Sequence, residues 1–306
     1  MKVVGGFKRP RGYFKGWYFK QQNDTDTVAL IPAFHTDDCG NSSASLQVIT
    51  NDQTFHVDFP PQAYRASQKE LPVRLGKCLF SEQGIGLDVE TQDCTLRGVL
   101  WFGPLTPPAF DIMGPFCCLP MMECGHSVFS LFHQVDGSLS INGREYVFEN
   151  GMGYLEGDRG VSFPKRYLWT HCAWGQNSIM LSAADVPWGG MSFTGCTGFL
   201  FLNGKEYRIA TYCGARLLYI SEDTILLRQG DLKLKIQLLK SCAQALRAPQ
   251  NGGMTRLIHE SAACTVRYTC SKGNRFLIDF ISDQASFESN WEESAVLSQR
   301  AAEKRV

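Results

Sequence analysis

At 306 residues with 44% hydrophobic side chains, the chain is long enough for two modest domains, or for one large all-β unit with a substantial core. Lys plus Arg and Asp plus Glu number 30 each, so the formal net charge is zero and no basic excess favours nucleic acid or an anionic membrane surface. No stretch approaches the roughly 18 apolar residues of a membrane-spanning helix, and the basic N-terminus lacks a signal peptide's apolar run, so no integral membrane segment and a cytoplasmic location are expected.

That setting governs the 12 cysteines, which are irregularly spaced with no Cys-x-x-Cys. Reduced, mostly buried thiols are expected rather than disulfides. Cys117, Cys118 and Cys124 with His126 form a conceivable soft-metal cluster, but adjacent cysteines ligate one tetrahedral ion poorly. Neither a metal site nor a cofactor is expected. Lys8, Arg9, Arg11 and Lys15 are read as a solvated N-terminal arm.

In chain order, residues 13–20 form the first expected strand, and 28–35 form a second apolar run. The segments 45–50 and 54–59 flank an Asn51-Asp52 turn. In the second of them Phe55, Val57 and Phe59 alternate with Thr54, His56 and Asp58, the period of a half-buried strand. Short strands continue at 78–80, 85–89 and 94–102. The pattern then breaks over 103–120, where Pro104, Pro107, Pro108, Pro115 and Pro120 exclude a helix or a strand interior; the stretch is read as a connection or a lid.

Strands resume at 127–135, with a turn expected at Asp136-Gly137. Asn142-Gly143 and Asn203-Gly204, both flanked by apolar runs, are hairpin turns, and their likeness hints at two related halves. Between them lies 151–177, which combines Glu156, Asp158, Arg159, Lys165, Arg166 and His171 with large aromatics. Its glycines suggest a bent backbone carrying the acids, feeding an aromatic strand over 167–174. Further strands fall at 179–186, 193–201, 207–212, 216–221, 224–228, 232–238, 266–270 and 276–280, and the tail 286–304 is read as helical. Turns about every ten residues without βαβ alternation indicate antiparallel barrels or sandwiches, which commonly enclose one ligand.

Three blocks carry a resemblance to a known family: 12–20 (GYFKGWYFK), Gly153-Tyr154-Leu155-Glu156 with 160–164 (GVSFP) and Trp169, and Ala210-Thr211-Tyr212. With 247–249 and Gly253-Met254, the chain resembles the tocopherol cyclase family over most of its length. The resemblance implies an all-β fold of two tandem lipocalin-like antiparallel β-barrel or sandwich halves. The Pro-rich connection divides the chain into halves of 1–120 and 121–306, and the helical reading of the tail puts a short C-terminal helix on the second. The resemblance also implies an isomerase that closes a ring on a prenylated phenol or quinol by protonating an alkene, the phenol oxygen then capturing the cation. Such chemistry needs no cofactor; it needs a protonated carboxyl, aromatic faces and a dry pocket.

Glu156 and Asp158 are the candidate acid and its partner, and His171 a further catalytic candidate. The alternatives are turn acids paired with Arg159 or Lys165, and a satisfied core histidine. Trp17, Tyr18, Tyr154, Trp169 and Trp174 are candidate substrate contacts, or plain core aromatics. His126 and His133 are seven apart, on opposite faces of a regular strand, and are not expected to share a metal. The expected partner is a hydrophobic small molecule, a prenylated aromatic or a lipid. The runner-up reading is a non-catalytic binding protein for such a molecule.

Overall fold

The computed structural model of the protein describes residues 12–66, 71–119, 122–188 and 191–291. It is almost wholly antiparallel β. The first sheet comprises β1 (Tyr13–Gln22), β2 (Thr27–Thr36), β3 (Ser42–Ile49), β4 (Thr54–Phe59), β5 (Tyr64–Ala66), β6 (Val73–Leu75), β7 (Cys78–Ser81), β8 (Gly84–Glu90), β9 (Thr95–Phe102), β10 (Cys124–Ile141) and β11 (Arg144–Gly160). Its spatial order is β4-β3-β2-β1-β11-β10-β9-β8-β7-β6-β5.

The second sheet comprises β12 (Tyr167–Trp174), β13 (Asn177–Trp188), β14 (Met191–Leu202), β15 (Lys205–Ala210), β16 (Ala215–Ile220), β17 (Thr224–Gln229), β18 (Leu232–Lys240), β19 (Gln244–Gln250), β20 (Gly253–Lys272) and β21 (Arg275–Ser289). Its order is β15-β14-β13-β12-β21-β20-β18-β17-β16, with β19 paired to β20. The change of sheet falls between Gly160 and Tyr167, later than the division drawn at 120/121, because β10 and β11 return to pair with β9 and β1.

Each sheet curls around its own packed core. Trp17, Phe19, Leu46, Phe80, Leu100 and Leu155 fill the first. Leu168, Leu181, Leu200, Leu234, Tyr268 and Phe287 belong to the second. A third apolar cluster lies where the sheets meet, and includes Tyr18, Tyr154, Trp169, Met180, Phe199 and Ile258. The strands at this seam are therefore buried on both faces, and β1 runs buried without a break from Trp17 to Gln22.

The Asn-Gly hairpins form as expected, with Asn142 and Gly143 at φ 48° and 83° and Asn203 and Gly204 at 52° and 75°. Other glycines have a different role. Asp136-Gly137 is not a turn: β10 continues through it with a register shift between Val135 and Gly137. A Cβ on Gly137 would lie 2.3 Å from the Val99 carbonyl oxygen, so close strand approach is what excludes a side chain there. The segment expected to bend at 151–160 is likewise regular strand, and a Cβ on Gly153 would sit 2.2 Å from His133 Nε2.

The 103–119 connection packs against the second sheet. Arg208 donates to the carbonyls of Asp111 (2.9 Å) and Phe110 (2.8 Å), and Tyr212 to that of Ile112 (2.7 Å). The expected helix at 286–304 begins instead as the end of β21, because Ser286 to Ser289 pair with β12; its part beyond Trp291 lies outside the described residues, as do Lys8, Arg9 and Arg11. All twelve cysteines are free, and Cys117 Sγ lies 3.7 Å from Cys118 Sγ, a non-bonded contact.

A third Asn-Gly turn, at Asn251 and Gly252 (φ 50° and 78°), presses the β19–β20 hairpin onto β1 and β2. A Cβ on Gly252 would lie 2.1 Å from the Thr36 carbonyl oxygen and 2.2 Å from the Tyr13 nitrogen. Gly252→Ala is therefore expected to cost about 1–3 kcal/mol or more, seen as a lowered urea midpoint, whereas Gly204→Ala meets no neighbouring atom and should cost less.

Candidate active site at the seam between the sheets

Strand alternation places the site. On β1 the even residues Phe14, Gly16 and Tyr18 face the seam, while Trp17 and Phe19 enter the first core. On β11 Tyr154, Glu156 and Asp158 are spaced by two and share the seam face. Register sets Tyr18 opposite Glu156, Gly16 opposite Asp158, and His126 of β10 opposite Asp158. From the second sheet, Trp169 lies opposite Glu288 and Glu288 opposite Glu260. Directly opposed residues project on one face, so these side chains converge.

All of these converging seam residues but Tyr154 line a cavity of about 170 Å³. Its acidic end holds Glu156, Asp158, Glu260 and Glu288; its apolar wall includes Ile31, Met113, Phe116, Met122, Leu246 and Ile258. The connection thus covers the cavity through Met113, Phe116 and Met122. A dry cavity of roughly 150 Å³ accommodates benzene, so this one takes a group of about one ring. The void lies between the two curled sheets rather than inside either, whose interiors are filled by their own side chains.

Glu156 is buried, 5% exposed. Tyr154 donates to its Oε2 at 2.5 Å and the Trp169 indole N–H at 3.2 Å, and His126 Nε2 lies 3.4 Å from the same oxygen. The other imidazole nitrogen, Nδ1, is 2.9 Å from Asp158 Oδ1, to which the Cys124 thiol also points. Two further carboxyls carry a tyrosine each: Tyr18 donates to Glu260 at 2.5 Å, and Tyr167 donates to Glu288.

Burial dominates the electrostatics. Loss of solvent pushes the Glu156 carboxyl up to about 7, with His126 opposing and Asp158 adding to the rise. Burial likewise lifts Glu260 to about 7 against its hydrogen bond from Tyr18, and holds Glu288 well above the usual carboxyl range. For His126 burial works against the charged form, yet the Glu156 and Asp158 carboxylates prevail and raise it to about 9. Tyr18, Tyr154 and Tyr167 are held well above the ordinary phenol value, first by burial and then by their carboxyl partners.

Donor atoms of His126, Glu156 and Asp158 lie within 4.8 Å of one another, close enough on distance alone to share an ion. The imidazole, however, stands between the carboxylates with a different, divergent ring nitrogen toward each. One nitrogen lone pair cannot serve an ion held by both acids in that arrangement.

Of the sequence candidates, the structure brings together Glu156, Asp158, Tyr18, Tyr154 and Trp169. Trp17 borders the cavity but packs mainly in the first core, stacked on Tyr64 at 6.4 Å. Trp174 lies in the second core against Phe280 at 4.5 Å, away from the cavity. His171 does not line the cavity; it stacks behind Tyr154 at 3.9 Å, and burial pushes its pKa well below the usual histidine value. Sequence reasoning missed His126, Tyr167, Glu260 and Glu288 as site residues. A usable signal existed for Glu260, which alternates with the buried Ile258 and Ala262 in an otherwise apolar register. None existed for Glu288, which the tail's charge pattern disguised as helix.

No protein-family model matches the chain, and no curated protein matches it. Several solved structures share its fold. One, from Nitrosomonas europaea and assigned as AttH, superposes with a TM-score of 0.52 at 11% identity, covering 91% of this chain and 92% of that one. Another, kievitone hydratase from Nectria haematococca, gives a TM-score of 0.52 at 10% identity, covering 90% of this chain and 88% of that one. At these identities the likeness shows a shared fold. Neither neighbour is described as a tocopherol cyclase.

The raised carboxyls fix the sign of a pH effect. A carboxyl whose folded pKa exceeds its unfolded value stabilises the fold below the unfolded pKa, and that contribution is lost as pH rises through the folded one. Stability should therefore fall between about pH 4.5 and 7 as Glu156 and Glu260 ionise, and His126 acts with the same sign between about 6.5 and 9. One pKa unit corresponds to about 1.4 kcal/mol. Glu260→Gln should flatten the decline and raise the melting temperature at pH 8 relative to the wild type, as followed by thermal melts across this range.

Proposed function

We propose that the seam cavity is the active site of an acid catalyst that protonates a carbon–carbon double bond in an apolar molecule, an oxygen nucleophile then capturing the cation. The observation that carries this reading is Glu156, a buried carboxyl raised to about 7 at the wall of an apolar cavity. Such a group still holds its proton near neutral pH, which general acid catalysis requires.

The remaining residues fit the same chemistry. Tyr154 and Trp169 fix the carboxyl through Oε2, and His171 stacks behind Tyr154 to hold its ring. Tyr18, Tyr167 and Trp169 present aromatic rings to the cavity, where a developing cation is attracted to ring faces most strongly away from water. A ring-sized cavity receives the reacting end of the substrate, and the rest extends past Met113, Phe116 and Met122.

The nucleophile decides the product. In the leading reading it is a phenol of the same molecule, giving the tocopherol-cyclase type of ring closure on a prenylated phenol or quinol. In the second it is water, a reading favoured by the kievitone hydratase among the structural neighbours. Neither requires a metal or redox cofactor. The non-catalytic alternative retains the cavity as a binding site for an apolar small molecule. A cytoplasmic setting, which keeps thiols reduced, suits the free cysteines.

Incubation with 2-geranyl-1,4-hydroquinone in deuterated water separates these outcomes. A ring-closed product bearing deuterium on the former alkene carbon supports the cyclase, a deuterated tertiary alcohol the hydratase, and binding without product the carrier. Glu156→Gln is expected to lower kcat by about 10²–10⁴. Turnover by the wild type should decline as pH rises above about 7, the value at which Glu156 loses its proton.

A further inference from the structure

Resting on the assignment of Glu156 as the acid, we propose that His126, braced by Asp158, is the proton store that reloads Glu156 while substrate still occupies the cavity. Once Glu156 has given up its proton, the group best placed to replace it is one already in contact, because the carboxyl is 5% exposed and a substrate in the adjoining cavity covers it further. Two of its three neighbours are unsuited. The Trp169 indole N–H does not titrate, and the Tyr154 hydroxyl, which burial holds well above the ordinary phenol value, is a far weaker acid than an imidazolium. His126 remains.

The geometry is that of a charged ring between two acids. An imidazolium donates from both nitrogens. Nδ1 lies 2.9 Å from Asp158 Oδ1, a charge-assisted hydrogen-bond length, while Nε2 lies 3.4 Å from Glu156 Oε2. The longer gap suits an imidazolium facing a neutral carboxylic acid, and it closes when that acid becomes a carboxylate. Side-chain exposure rises outward along the row, from 6% at Glu156 through 13% at His126 to 24% at Asp158. The fixed negative charge therefore sits at the wetter end and the transferable proton at the drier end.

Charge and protons balance. At rest the row is Asp158 carboxylate, His126 imidazolium and Glu156 acid, with no net charge. Protonation of the alkene breaks the Glu156 O–H bond and leaves a carboxylate beside the carbocation. The His126 Nε2–H bond then breaks as an O–H bond forms on Glu156 Oε2, and the neutral ring keeps its other proton on Nδ1, held by Asp158. The oxygen nucleophile sheds one proton as its C–O bond forms. That proton restores Nε2–H, so none is consumed overall.

The groups that bear on the ring are Glu156 and Asp158 of β11, Cys124 of β10 through its contact with Asp158, and Asp111 of the connection, with Glu260 and Glu288 elsewhere in the same cavity. Of the carboxyls, only the two from β11 lie within 4 Å of its nitrogens among the described residues.

Two measurements on the full chain test the role. In ¹⁵N-histidine-labelled protein, the ring signal assigned by its loss in His126→Gln should show both nitrogens protonated at pH 8, and Asp158→Asn should render the ring neutral by pH 7. With 2-geranyl-1,4-hydroquinone, His126→Gln should retain a first-turnover burst but lose more than about tenfold in steady-state rate. Product from the wild type together with a neutral ring at pH 7, or an unchanged steady-state rate in His126→Gln, overturns the proton store alone. No product from the wild type overturns the assignment of Glu156 as acid, and this role with it.

Discussion

The seam strands are buried on both faces, and the site depends on that constraint. An ordinary lipocalin-like strand shows one face to a core and the other to water. Here β1, β11, β12 and β20 have a core on one side and the opposing sheet on the other. Polar side chains on the seam face are thereby deprived of solvent. Lys20, fully buried, donates to the Gln284 carbonyl at 3.1 Å, and burial lowers its pKa to about 8. Gln22 donates to the Ala173 carbonyl at 3.1 Å. These bonds tie the two sheets together across the same dry layer that raises the carboxyls.

Burial without a full set of cations separates this cluster from a structural ion-pair network. A salt-bridged carboxylate has its pKa pulled down by its partner. Glu156, Glu260 and Glu288 are instead partnered by phenols, which satisfy a hydrogen bond without supplying charge. Mutual repulsion among closely spaced acids adds to desolvation, and both effects favour the protonated form. His126 is the charged exception at the acidic end, and its position between two acids gives the cluster a division of labour: one acid neutral, one ionised, with a proton carrier between them.

Much of the fold was legible in the sequence because β structure leaves a local record. The alternation over Thr54 to Phe59 marks β4 with both its boundaries, and Asn-Gly marks hairpins wherever paired strands need two consecutive positive φ values. The spacing of Glu156 and Asp158 placed them on one face once the backbone proved extended. What the sequence hid was what each buried face packs against. Periodicity says that Tyr18 is buried, not that it meets Glu260, 242 residues away. For the same reason the cavity was expected inside a barrel and lies between two. The glycines of β10 and β11 misled in a different way. Close approach of neighbouring strands and turn formation both select glycine, and only the register distinguishes Gly137 and Gly153 from turn residues.

The central claim is that the buried Glu156 carboxyl at the seam keeps its proton at neutral pH. Infrared difference spectroscopy of the full chain across a pH step from 6 to 9 reads this directly, through the C=O stretch of a protonated carboxylic acid. The account predicts a buried-acid band present at pH 6, diminished at pH 9, and reduced by one component in Glu156→Gln. A Glu156→Gln difference spectrum with no loss in that band at pH 6 would show Glu156 already ionised, and would contradict the account.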